Sequence, residues 1–75
     1  MSEDLKPIRV DARGHNCPIP SLKLRKAVLQ TQAGQVIHIV ASDPMAKIDI
    51  PHLCAEMGWA CTPLEGADIG FAVSR

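Results

Sequence analysis

The chain has 75 residues, 47% of them apolar but with only Trp59 and Phe71 aromatic, and its eight Lys/Arg balance eight Asp/Glu. This length lies near the lower limit for a self-supporting core, so one domain over residues 1–75 with an aliphatic interior is expected. No apolar run is long enough to cross a bilayer. The start Met1–Lys6 has neither the basic residues nor the apolar stretch of a secretion signal, so a cytoplasmic location is expected.

The charges are unevenly spread: residues 1–40 carry six Lys/Arg against three Asp/Glu, and residues 41–75 carry two against five. A basic face around the first helix suits an acidic protein partner better than nucleic acid, because a solvated helix face explains so few charges equally well. The three cysteines, Cys17, Cys54 and Cys61, cannot all pair within one chain, and they lack C-x-x-C spacing. A reduced compartment fits them, while a disulfide scaffold, a thioredoxin-type site or a zinc site does not.

In chain order, residues 1–6 read as a loose end. Ile8, Val10 and Ala12 alternate with Arg9 and Asp11, the period of a half-buried strand. Gly14 permits a sharp turn, and Pro18, with its preset φ and missing N–H, suits the first position of a helix running to about Gln32, with Gly34 as the cap. Ser21, Leu24, Ala27, Val28 and Thr31 share its inner face. Ile19, Leu22 and Leu29 point outward among Lys23, Arg25 and Lys26. Gln35–Ala41, rich in β-branched residues on both faces, reads as a central strand.

Ser42 or Asp43 then caps a second helix start with Pro44 in its first position. Pro51 is expected to interrupt that helix, leaving one turn to about Ile48 and a main segment from Ile50 to Met57 capped by Asp49. Ala46, Ile50, Leu53, Cys54 and Met57 form its inner face, and Gly58 ends it. Trp59–Leu64 and Ile69–Ser74 read as strands joined by Glu65–Asp68. The order β-α-β-α-β-β predicts an α/β two-layer sandwich: a four-stranded mixed sheet, its first two strands parallel, with two helices on one face.

Within this frame Cys17 stands out. With Pro18 opening the helix, Cys17 is expected at the N-cap, beside free N–H groups and the positive end of the helix dipole. A thiol there is expected to ionise more readily than a free one, and the thiolate is the nucleophile. Cys54 lies on the inner face of the second helix and reads as packing; Cys61 reads the same way, on a strand face that depends on register. Asp11 and Arg13 read as a surface ion pair or as groups that position the cysteine loop.

Asp11-Ala12-Arg13-Gly14, then Cys17-Pro18-Ile19-Pro20, Arg25-Lys26, Asp43-Pro44 and Asp49-Ile50 together resemble the TusA family of sulfur carriers, also called SirA-like, from about residue 8 to the end. The resemblance implies that Cys17 accepts sulfane sulfur as a persulfide from a cysteine desulfurase or rhodanese-like protein. It would then relay that sulfur to another protein's cysteine in tRNA thiolation, cofactor synthesis or sulfur oxidation. It implies no cofactor beyond the covalent persulfide and no self-contained active site. Arg13, Pro18, Pro20 and Asp43 would support Cys17, with Arg13 open to a role in attracting the persulfide anion. Ile19, Leu22, Lys23, Arg25 and Lys26 would form a docking patch.

The chain departs from many relatives in having His15 where they carry a bulky apolar residue, and in having Cys61. No metal, membrane or nucleic-acid contact is expected, and a monomer is. Two other functions compete with the carrier: a regulatory binding module whose Cys17 senses oxidation, and a selenium-handling relative.

Overall fold

The computed structural model describes residues 6–66 and 69–75, so residues 1–5 of the expected loose end and Ala67-Asp68 of the expected hairpin connection lie outside the described residues. The alternating segment forms strand β1 (Ile8–Ala12), on which Ala12 is fully buried, Val10 half-buried and Arg9 and Asp11 exposed. The apolar run forms β2 (Ile37–Ala41), two residues shorter at its start than the sequence suggests. β3 (Ala60–Pro63) and β4 (Ile69–Ser74) complete a sheet of order β1-β2-β4-β3. β1 and β2 are parallel and the other two pairings antiparallel, so the sheet is mixed as expected.

The register explains the core. Ile8, Ile37, Val73 and Cys61 form one row across the sheet, and Val10, Ile39, Phe71 and Pro63 form the next. Both rows continue the apolar face on which the helices pack, since side chains at paired positions share a face. Helices α1 (Ile19–Leu29) and α2 (Ala46–Met57) touch each other; α1 leans on β1 and β2, and α2 on β3 and β4. Leu24 and Val28 are the buried contributions of α1 from the expected inner face, with Ser21, Ala27 and Thr31 half-buried.

Both helices differ from the expected bounds for identifiable reasons. α1 ends three residues before Gln32, and its cap is Gln30 rather than Gly34. The Thr31 hydroxyl and the Thr31 N–H both donate to the Val28 carbonyl, satisfying it and closing the last turn. Gly34, at φ +92°, serves instead the Gln32–Gln35 turn into β2.

α2 is continuous through Pro51, with no separate first turn. Pro51 removes only the hydrogen bond that would reach Lys47, an exposed residue whose carbonyl water can satisfy. Asp49 is therefore not a cap: its N–H already donates to the Met45 carbonyl at 2.8 Å, and it sits inside the helix. Ala46, Ile50 and Cys54 are the buried stripe of α2, and Leu53 packs against it. Met57, expected with them, is 40% exposed. Gly58, at φ +75°, ends the helix in the left-handed conformation, and the Trp59 N–H reaches back to the Cys54 carbonyl at 2.8 Å.

Cys54 is buried and Cys61 half-buried against the same core, both along an open groove of about 350 Å³ that Trp59 and Phe71 also line. Burial first, and then the charge of the neighbouring Cys61, pushes the Cys54 thiol up to about 12, against an ordinary value of 9.0. In alkali the unfolded chain gives up this proton first and so binds fewer protons than the folded one. Stability is therefore expected to fall as pH rises from about 9 to 12. Urea unfolding midpoints measured across that range should fall less steeply for Cys54→Ala; an unchanged slope would refute the assignment.

Candidate functional site

Because β1 and β2 are parallel, the loops leaving their C-terminal ends emerge on the same edge of the sheet. Two hydrogen bonds tie these loops together: the Gly14 N–H donates to Ser42 Oγ at 2.8 Å, and the Cys17 N–H donates to Asp43 Oδ2 at 2.6 Å. Gly14, at φ +84°, makes the turn in a conformation that side-chain-bearing residues rarely adopt, and the His15 N–H closes it on the Ala12 carbonyl. The Cys17–Pro18 peptide is cis.

Asp43 does two jobs with one carboxylate. Oδ2 holds Cys17, while Oδ1 accepts the Met45 N–H at 3.1 Å, and its carbonyl takes the Ala46 N–H at 2.9 Å. Asp43 thus leads the chain into α2 as expected of a capping residue, although the helix proper starts at Ala46, after Pro44 and Met45. Donation from the Cys17 and Met45 N–H groups holds its carboxyl below the usual range.

Cys17 is exposed. It is not the N-cap, because α1 begins at Ile19 with Pro18 in the capping position; the Ile19 N–H is taken by the Asn16 carbonyl and the Leu22 N–H by that of Pro18. Its Sγ donates to Asp49 Oδ2 at 2.5 Å. This bond, followed by desolvation and the negative charges of Asp49 and Asp43, raises the thiol above its ordinary pKa. The expectation of a readily ionised thiol is corrected accordingly. The expectation rested on an N-cap position that Pro18 takes, whereas the thiol itself is in direct contact with a carboxylate.

Asp49 is the residue of the site that sequence reasoning placed in the wrong role. It follows Ala46 by three positions and precedes Leu53 by four, so it shares the inward stripe of α2. An acid within an apolar stripe on the first turns of a helix was the available signal.

Arg13 is paired with Asp11. Its Nε and a terminal nitrogen meet the two Asp11 oxygens at 2.9 Å each, and its own N–H adds a third bond to Oδ1 at 3.0 Å. Of the roles left open for this residue, the ion pair is the one seen. Its guanidinium holds the Asp11 carboxyl well below the usual range. His15 is exposed, as is Pro18, whereas Pro20 is buried and anchors the start of α1.

Ile19, Leu22 and Leu29 are 41%, 57% and 52% exposed, beside exposed Lys23, Arg25 and Lys26, as the wheel predicts. Met45 and Ile48, at the start of α2, add two exposed apolar side chains that sequence reasoning did not single out. Among the described residues, no three His, Cys, Asp or Glu side chains converge on a point that could hold a metal ion, and no helix is long and apolar enough to cross a membrane.

Residues 8–74 match the family described as Sulfurtransferase TusA, so every element of the fold and the whole site fall inside the match. The chain belongs to the TusA family. Relatives include the sulfur carrier protein TusA of Pseudomonas entomophila, 38% identical over 58 residues that make up 77% of this chain and 72% of that one. A putative sulfur carrier protein of Archaeoglobus fulgidus is 37% identical over 62 residues, 83% of this chain and 80% of that one. The crystal structure of a SirA-like protein from Desulfitobacterium hafniense superimposes with a TM-score of 0.72 at 27% identity, covering 88% of this chain and 90% of its own. Family membership thus rests on sequence and on fold together.

Proposed function

We propose that this TusA-family protein is a sulfur carrier, holding sulfane sulfur as a persulfide on Cys17 between a donor protein and the reactive cysteine of an acceptor protein. The observation that carries the reading is the exposed Cys17 thiol, positioned by backbone and side-chain hydrogen bonds to Asp43 and Asp49 at the head of α1. Membership of a family whose relatives include sulfur carrier proteins supports the cargo.

The chemistry needs one nucleophile. The Cys17 thiolate attacks the outer sulfur of a donor persulfide, the donor's S–S bond breaks, and the donor's thiolate departs and takes up the proton Cys17 lost. Relay is the same exchange with Cys17 as the leaving group, so neither step consumes an oxidant or a cofactor. A cysteine desulfurase or rhodanese-like protein fits as donor, and tRNA thiolation, cofactor synthesis or sulfur oxidation as the destination.

Ile19 and Leu22, next in the chain to Cys17, with Lys23, Arg25 and Lys26 around them, supply an apolar patch with a basic rim for such partners.

The test is intact mass after incubation with a cysteine desulfurase and cysteine, and separately with a small-molecule persulfide donor. Native protein is expected to gain one sulfur atom that reductant removes, and Cys17→Ser to gain none. Absence of the gain with both donors overturns the reading. In the same assay Leu22→Glu with Arg25→Glu should slow loading from the desulfurase and leave loading from the small donor unchanged; equal rates from the desulfurase would remove the docking patch.

A further inference from the structure

A carrier must keep its cargo between partners as well as release it. When a thiol attacks the outer sulfur of Cys17–S–SH, the S–S bond breaks and its electron pair stays on Cys17 Sγ. The developing negative charge would then lie at the atom that Asp49 Oδ2 contacts at 2.5 Å. Among the described residues no cation pairs with Asp49 to offset its charge; Arg13 is engaged by Asp11, and the other ion pair is His52 with Glu56. The carboxylate therefore opposes departure of Cys17 as a thiolate, and a poorer leaving group slows thiol exchange.

We infer that Asp49 is the retention residue of the carrier, slowing loss of sulfur from Cys17 to thiols that meet it outside a docked complex. Asp43 is arranged differently, since it binds the Cys17 N–H rather than the sulfur and is committed to Met45 as well. It sets where the sulfur is, and Asp49 sets how readily the sulfur leaves. The same contact protects the empty carrier, because the proton it holds on Sγ keeps the nucleophilic form scarce. The direction in which Cys17 was raised, contrary to the expectation from its place before a helix, suits a protein that stores a reactive group. The inference rests on the persulfide reading, and the experiment separates the two.

Native protein, Asp49→Asn and Asp49→Glu are loaded with a small-molecule persulfide donor, freed of it, and mixed with 2-mercaptoethanol, an uncharged thiol. Intact mass follows the loss of one sulfur atom. Asp49→Asn is expected to lose it roughly three- to tenfold faster than native protein, and Asp49→Glu, which keeps the charge, to stay nearer the native rate. Each protein is also converted to the mixed disulfide of Cys17 with 2-mercaptoethanol and its reduction by the same thiol timed, a measurement needing no persulfide. Asp49→Asn should again release faster, and circular dichroism should show the same fold. Equal release rates for native and Asp49→Asn proteins in both measurements overturn the retention role and leave the carrier reading standing. Failure of all three to load, with the mixed-disulfide difference present, overturns the carrier reading and leaves the effect of Asp49 on Cys17 standing.

Discussion

Replacing Asp49 by Asn is expected to make Cys17 react markedly faster with iodoacetamide at pH 7, because losing the carboxylate that holds the thiol neutral raises the fraction present as thiolate. The sign follows from the geometry. Asp49 accepts a hydrogen bond from the Cys17 thiol and adds negative charge beside the sulfur, so the folded protein favours the neutral thiol and the thiolate forms only at higher pH. The amide of Asn carries no charge and can donate to a thiolate, so the rise in rate with pH should move toward neutrality. Peptide mapping after brief alkylation isolates Cys17 from the half-buried Cys61 and the buried Cys54. Coincident pH–rate profiles for the two proteins would show that the carboxylate does not govern this thiol.

Ile39→Ala is expected to cost about 2–5 kcal/mol, the range for removing a large aliphatic side chain from a well-packed interior. Ile39 is fully buried in the middle of β2, between Val10 on one neighbouring strand and Phe71 on the other. A domain of this length has a total stability of only about 4–11 kcal/mol, so the variant should lose a large share of it. The urea midpoint is the measurement; a shift within error would mean that the core tolerates a cavity at its centre. Leu22→Ala, which removes an exposed side chain of similar size, is the control.

The sheet was legible from the sequence because its signals are local and redundant. The alternation in β1, the continuous run in β2 and the glycine after α2 each follow from one physical requirement, and each is found where expected. Helix interiors were harder. Pro51 reads as a break because a helix interior normally needs the N–H it lacks, but the rule says nothing of whether the orphaned carbonyl faces water. Here the residue bearing that carbonyl is the exposed Lys47, the helix runs on, and treating Asp49 as a cap for a second segment followed from that misreading.

The site was legible in its parts and not in its electrostatics. Cys17 and Asp43 announce themselves by their motifs, yet the partner of the sulfur lies 32 residues away in the chain. Spacing cannot show that α2 turns an acid toward the first loop; only the parallel pairing of β1 and β2 brings the two loops to one edge. The helix-terminus argument for Cys17 used the one local field that sequence displays and lacked the carboxylate supplied through space.

That parallel pairing also divides labour between two stretches of chain. The loop after β1 presents the sulfur, while the loop after β2 and the first turns of α2 set its surroundings. A mutation in the second stretch can thus change the temperament of the thiol while leaving the presenting motif, and the helix beside it that partners would read, intact. One scaffold can in this way supply quick and slow versions of the same courier, and the residue that distinguishes them will look, in a linear sequence, like an ordinary position on another helix.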